Sequence, residues 1–398
     1  MKRVFLTLIL VVLACVGWAN DGVYYVSGNN LVPVQENHIS ITKEVLTIDI
    51  GDDGCAHVDV YYELLNKGNA RTITMGFEAS LPYMTGDAFS TQGIHPSIKD
   101  FTVTMNGKQL NYKNAVICSS TDDDPTDFNP LDMRKWRPTN DGPMDEMGAS
   151  LTNGRDTITD IAYGYYFDAR FEPGPSVVHH TYTFIMSNGV YRSFEIPYWL
   201  TPCTRWANHQ VDDFTLRIRA VNTAKHFYLN DDVFSRKPFK VTEGKGKVRT
   251  GTAFDQHYTE VTLRNGTVEC HVTNFKPKED MCIRSADLVA MEKDNFDIGS
   301  FYDRAASIFP TENVDFKACY GREPRNDEEV RKLHKRICRN LPYANRGYVF
   351  SDRNLQRYFE SRWWYMPDPE WQISTEDFKR TDWQFVNELG KEDAGAEE

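Results

Sequence analysis

The sequence predicts a mainly β protein, with antiparallel, sandwich-like domains followed by a small C-terminal α-helical domain. Three observations predict it. Apolar residues recur at alternate positions in several runs before residue 280, the period of a half-buried strand. Two Asn-Gly pairs, Asn106-Gly107 and Asn265-Gly266, lie between apolar runs, and that dipeptide suits the positive φ angles of a type I′ hairpin turn. Beyond about residue 326 the apolar spacing becomes helical. The chain has 398 residues, 40% of them hydrophobic, enough for two or three domains with their own cores.

The first segment, residues 1–19, has the order of a signal peptide. Lys2 and Arg3 precede an apolar run from Val4 to Val16, and Gly17 and Ala19 supply small residues before a cut near Ala19. The run is short for a membrane span, so no permanent transmembrane segment is expected. Lipid attachment at Cys15 is the alternative; the bulky Leu13 before it favours simple secretion. Loss of Lys2 and Arg3 takes the formal charge from -12 to -14. A global attraction to nucleic acid is therefore disfavoured. Export places the chain in the periplasm, in the outer envelope or outside the cell, where disulfides can form. Seven cysteines remain after the leader, which leaves at least one outside any set of pairs.

Residues 20–160 read as one β-rich domain and 161–283 as a second β-rich part. Val58, Val60, Tyr62 and Leu64 alternate with His57, Asp59, Tyr61 and Glu63; Ile73 to Leu81 and Phe214 to Ala220 alternate likewise. Ile39–Ile50 is a further strand whose apolar phase slips near Glu44-Val45, which predicts a bulge there. Residues 119–160, rich in Asp, Pro, Asn and Gly, read as a long acidic loop. Residues 284–325 read as a linker with short helices at 288–293 and 300–309. Residues 326–391 form the helical domain, and 392–398 an acidic tail. Within the helical domain, Ser351 predicts an N-cap for a helix over about 352–361, with Leu355, Tyr358 and Phe359 on its buried face. Gly347 fits a helix end that needs positive φ. The prolines of Met366-Pro-Asp-Pro369 end the helical pattern. Ser374-Thr-Glu-Asp377 then opens a last helix to about Leu389.

Arg339-Asn340, Tyr343-Ala344, Gly347-Tyr348, Phe350, Leu355, Tyr358-Phe359, Trp364-Tyr365 and Pro367 resemble the YARHG domain, a bacterial extracellular module named for its central motif. Here the motif reads Tyr343-Ala-Asn-Arg-Gly347, differing at two of five positions, and Pro342 is expected to interrupt the helix that carries it. Arg346 stands at one of the differing positions. The resemblance implies a fold and an extracellular setting and no reaction. Residues 20–280, with Tyr198-Trp-Leu-Thr-Pro-Cys-Thr-Arg-Trp206 and Asp213-Phe-Thr-Leu216, resemble a family of exported bacterial proteins of unknown function. That resemblance implies a β-rich extracytoplasmic domain.

No cofactor, metal site or catalytic group is indicated. His179-His180 cannot chelate one ion from a strand, where neighbours point to opposite faces. Asp122-Asp-Asp124 with Asp127 supplies hard oxygens for calcium, but the spacing lacks the EF-hand glycine and glutamate. There is no Gly-x-Ser-x-Gly, no His-Glu-x-x-His and no CxxC pair. Cys319 and Cys338 flank the entry to the helical domain and are a candidate disulfide. Trp363, Trp364 and Tyr365, with Arg339, Asn340, Tyr343 and Arg346, are candidates for a binding surface, since aromatic faces stack and guanidinium groups grip carboxylates. The competing role for those aromatics is the core of a very small domain. The expectation is an exported cell-envelope protein that binds a wall polymer or an envelope protein. The other reading is an envelope hydrolase with a site dispersed in the β domains.

Overall fold

The computed structural model describes residues 19–27, 30–33, 36–80, 92–119, 128–139, 150–158, 161–189, 192–220, 224–253, 256–285 and 316–373, with Phe378 and Val386. The leader to residue 18, the aspartate group at 122–127, both short linker helices and most of the expected last helix lie outside these residues.

Among the described residues the strands, numbered in chain order, form three sheets. Six close into a barrel: β1 (Ala19–Ser27), β2 (Asn30–Pro33), β5 (Arg71–Ser80), β8 (Lys113–Ser119), β9 (Phe128–Pro130) and β13 (Ile161–Phe171). Three short ones form a small sheet: β10 (Arg137–Thr139), β11 (Ser150–Thr152) and β12 (Thr157–Ile158). The stretch read as an acidic loop thus contributes strands on both sides of its undescribed parts. The remaining twelve form one large sheet. They are β3 (Ile39–Ile50), β4 (Cys55–Asn66), β6 (Ile98–Met105), β7 (Lys108–Gln109), β14 (Gly174–Ile185), β15 (Ser187–Gly189) and β16 (Arg192–Tyr198). With them run β17 (Val211–Ala220), β18 (Lys225–Asn230), β19 (Lys240–Ala253), β20 (Gln256–Phe275) and β21 (Met281–Ser285). Strands from 20–160 and from 161–283 interleave in both large sheets: β8 pairs with β13, and β4 with β14. All strand pairings in the large sheet are antiparallel except β3 with β17.

Period-two sequence becomes period-two burial. Along β4, Val58, Val60, Tyr62 and Leu64 are buried, whereas His57 to Glu63 at the intervening positions keep some exposure. Barrel and sheet meet through rings. Phe77 of β5 lies 5.4 Å from Phe101 of β6 and 4.9 Å from Tyr182 of β14. His180 is fully buried in this cluster, 5.7 Å from Phe77, while His179 on the other face meets Asp59 at 3.0 Å. Each fully buried ring or aliphatic side chain contributes about 1.5–3 kcal/mol of burial.

Two turn expectations resolve differently. Asn106 (φ 49) and Gly107 (φ 76) close β6 onto β7, with Met105 opposite Lys108. Asn265 also has positive φ, 45°, but no hairpin forms there; β20 runs on from Gln256 to Phe275. Asn265 marks a bulge. Before it β20 pairs with β18, and after it with β17, while β19 pairs along the other side. The partner strand bulges too, at Gly244, where φ is +67 and a Cβ would lie 1.9 Å from Asn265 O. The β3 bulge falls at Thr42, not at Glu44-Val45: the register slips between Ile41 and Lys43, and Thr42 Oγ1 donates to Glu63 O at 2.9 Å.

The helical region has α1 (Phe316–Tyr320), α2 (Asp327–Asn345) and α3 (Arg353–Glu360). Asn326 caps α2 by accepting from Glu329 N at 3.0 Å, and Asp327, Glu328 and Glu329 suit the positive end of the helix dipole. Pro342 does not interrupt α2, contrary to expectation. The helix tolerates one lost donor near its end, and the Pro342 carbonyl is taken by Arg346 NH1 at 2.9 Å. The cap of α3 is Asp352 rather than Ser351; its carboxylate accepts from Asn354 N and Leu355 N at 2.8 and 2.9 Å. The core beneath is aromatic: Phe350, Phe359, Trp364 and Tyr365 are buried with Leu333, Ile337 and Leu355. Tyr358 is half-buried under Arg362.

Candidate functional site

The motif Tyr343-Ala-Asn-Arg-Gly347 terminates α2. Gly347 N donates to Ala344 O at 2.9 Å and Tyr348 N to Tyr343 O at 3.0 Å. These are the two bonds of a Schellman turn, with Gly347 at the left-handed position (φ +89). The ring contact between Tyr343 and Tyr348, 6.1 Å apart, supplies the apolar clasp usual in that turn. Ala344 is buried, and Asn345 and Gly347 face outward from the helical core onto the large sheet.

The sheet face they meet is polar. Strands β19, β20 and β18 set side chains in three cross-strand rows: Lys245 beside Arg264; Lys247 beside Thr262 beside His226; Arg249 beside Glu260 beside Tyr228. Strand alternation turns Val261 and Leu263 into the β core and leaves Glu260, Thr262 and Arg264 on this opposite face. The helical domain covers it. Asp368 accepts from Lys245 Nζ at 3.0 Å and from Arg264 NH2 at 3.3 Å. Lys247 Nζ donates to Tyr365 O at 2.9 Å. The His226 Nε2–H donates to Asn345 Oδ1 at 2.6 Å, and its ring meets Trp364 edge-on at 5.9 Å. Arg249 pairs with Glu260 and lies 4.1 Å from the centre of the Trp363 ring. Gly347 is pressed against the same face: a Cβ there would sit 1.8 Å from Arg264 NH1 and 2.6 Å from Met366 O.

Electrostatics follow from burial. Desolvation pulls the His226 imidazole down to about 4, against the pull of its Asn345 bond. Arg264 is lowered by burial, with Asp368 acting in the opposite sense. Asp368 is held below the usual carboxylate range, first by the hydrogen bond from Lys245.

The expected surface residues divide. Trp363, Trp364 and Tyr365 gather at this junction, Trp364 and Tyr365 buried and Trp363 half-buried. Arg346 is buried inside the domain, 4.4 Å from the centre of the Phe378 ring. Tyr343 is half-buried against Phe378, 5.0 Å away. Arg339 and Asn340 keep partial exposure on α2; Asn340 Nδ2 donates to Arg336 O at 2.7 Å. Cys319 is buried, its sulfur 3.2 Å from Asn354 O, and the side chain of Cys338 lies outside the described ones. The sheet residues of the junction were missed from sequence. Their signal was present: Lys245, Lys247 and Arg249 recur at period two, as do Glu260, Thr262 and Arg264. Such repeats define a polar strand face as surely as apolar ones define a core.

Among the described residues no helix is long and apolar enough to cross a membrane. No curated protein matches the chain. Among solved structures, it is similar to a candidate nutrient-binding protein of Legionella pneumophila, at 16% identity and a TM-score of 0.47, over 94% of this chain and 99% of that one. It is similar to the M1 zinc metallopeptidase of Deinococcus radiodurans at 10% identity and a TM-score of 0.25, over 63% of this chain and 43% of that one. At these scores neither likeness assigns a ligand or a reaction. Residues 321–391, a stretch that includes the Schellman turn, match the YARHG domain, a domain of extracellular type.

Proposed function

We propose that this is an exported bacterial cell-envelope protein that works by binding, without catalysis, a wall polymer or an envelope protein. Cleavage near Ala19 releases it into the periplasm, the outer envelope or the medium, with no permanent membrane span and no role for nucleic acid. The observation that carries this reading is the extracellular-type YARHG match on a unit mounted by specific side chains on a large β scaffold. In this arrangement Trp363, Trp364 and Tyr365 hold the module in place, and Arg346 packs inside it. The partly exposed Arg339, Asn340 and Tyr343 on α2 are the contact surface. Cys319 and Cys338 are the pair proposed to bond after export, which intact mass with and without reduction tests. Co-sedimentation of residues 20–398 with isolated envelope material tests the function. Retention that falls about tenfold in Arg339→Ala/Tyr343→Ala, the scale of a hot-spot contact, supports the reading. Soluble cleavage products, or no retention at all, overturn it.

A further inference from the structure

The face beneath the helical domain has an imbalance of charge. Lys245, Lys247, Arg249 and Arg264 supply four positive charges, and Glu260 and Asp368 supply two negative ones, a net of +2 among these groups. The whole chain carries -12. Lys247 answers only a carbonyl in these contacts. Arg264 is 7% exposed and gives one amino group to Asp368; its other, NH1, is buried with no hydrogen-bond partner among the described residues and is aimed at the Gly347 backbone. A guanidinium usually grips an oxyanion with two parallel bonds, so Arg264 is half used. Lys245 keeps 52% of its side-chain surface open at the rim. Asp368 enters this pair from a short turn between Pro367 and Pro369, its backbone N–H fixed to Gly347 O at 2.7 Å.

We infer that Lys245 and Arg264 form an oxyanion-binding site for an anionic envelope polymer, and that the Asp368 carboxylate occupies it as an internal stand-in while the helical domain is docked. The inference rests on the binding reading above and names the chemistry of its ligand: a repeated carboxylate or phosphate. Apart from the Trp363 and Trp364 rings, the contacts between helical domain and sheet are polar, the kind that a competing polyanion can exchange, whereas an apolar seam would only be separated with loss of burial. Lys247 and Arg249, one and two rows along β19, extend the track so that successive charges of a polymer meet successive cations.

The test uses residues 20–398 and three fluorescein-labelled probes: polyglutamate for carboxylate, polyphosphate for phosphate and dextran as a neutral polymer. Affinity is read by anisotropy at low and high salt. Asp368→Asn, which removes the internal competitor, is expected to tighten polyanion binding about tenfold, the scale of one charge-assisted contact. Lys245→Gln, at a half-exposed position that does not support the core, is expected to weaken it about tenfold and to flatten its salt dependence. Whichever polyanion responds identifies the oxyanion. Unchanged or weaker binding in Asp368→Asn overturns the inference, as does wild-type affinity in Lys245→Gln. Binding of dextran alone, equal in all variants, removes the anion site and leaves the binding reading standing. Retention of no probe, together with no co-sedimentation, removes both.

Discussion

The helical domain has two sides built on different physics. Inside, Phe350, Phe359, Trp364 and Tyr365 stack within 4.9–6.3 Å of one another around Leu355. Outside, toward the sheet, it offers a carboxylate, a backbone carbonyl, an amide and the faces and edges of two indoles. The interior holds by burial, which is nondirectional and lost when volume is lost. The junction holds by charges and hydrogen bonds, each worth little alone and each sensitive to salt, pH or a competing ion. The domain owes its fold to the first side and its position to the second.

The largest expected effect breaks the interior. Phe359 is fully buried at the centre of the aromatic stack, so Phe359→Ala should cost about 3–5 kcal/mol. Thermal melts of the full chain should show loss of the helical unit while the β body keeps its transition. An unchanged profile would mean that the stack is not what holds the domain.

A smaller effect sharpens the contrast at the junction. His226 is pulled down to about 4 by burial, whereas the unfolded or undocked ring titrates near its ordinary value. Between those pH values the open state takes up a proton that the docked state refuses. Docking is therefore fully stable above about 6.5 and weakens as pH falls toward 4, by at most about 3 kcal/mol, since Lys225 on the same strand lowers the ring in either state. Asp368, also held low, adds loss in the same direction at more acid pH. His226→Gln should remove the first phase of acid sensitivity, read by near-UV dichroism from pH 7 to 4; an identical profile in the variant would assign the acid effect elsewhere.

The smallest effect lies at a cap. Asp352 accepts two backbone N–H groups at the start of α3 and meets Arg336 at 2.7 Å. Asp352→Ala should cost about 1 kcal/mol, typical of an N-cap, and Ser351→Ala much less, because Ser351 is exposed outside the helix. Equal losses in the two melts would return the cap to Ser351.

What was legible in the sequence follows the same division. Alternation located β4 and β17 because one face of each is buried in an apolar core, and local chemistry located the Asn106-Gly107 turn. The same dipeptide at Asn265-Gly266 misled. It supplies positive φ in both places, but at 265 the flanking segments find different neighbours, β18 before and β17 after. The backbone then bends within a strand instead of reversing. Local chemistry sets the dihedral; tertiary pairing decides whether the dihedral is a turn or a bulge. The helical core was legible through Leu355 and Phe359, and Gly347 as a helix end. The junction was not, because it joins β18, β19 and β20 to residues more than a hundred positions later: His226 to Asn345, Lys247 to Tyr365. Aromatic clustering at 363–365 allowed both a ligand surface and a domain core; Trp364 and Tyr365 pack in that core, and Trp363 lies beside Arg249 of the chain's own sheet.

If a folded aromatic unit is held to the sheet by charge and hydrogen bonds, ¹⁹F NMR of the full chain labelled with 5-fluorotryptophan should separate Trp364 at the junction from Trp206 in the β core, both nearly fully buried. In the neutralised variant Lys245→Gln/Arg264→Gln/Asp368→Asn, the Trp363 and Trp364 signals should move toward their solvent-exposed positions. Trp206 should stay fixed and helical dichroism should be retained. If Trp364 does not move, or if Trp206 moves with it, the junction is part of one continuous core and is not held by charge.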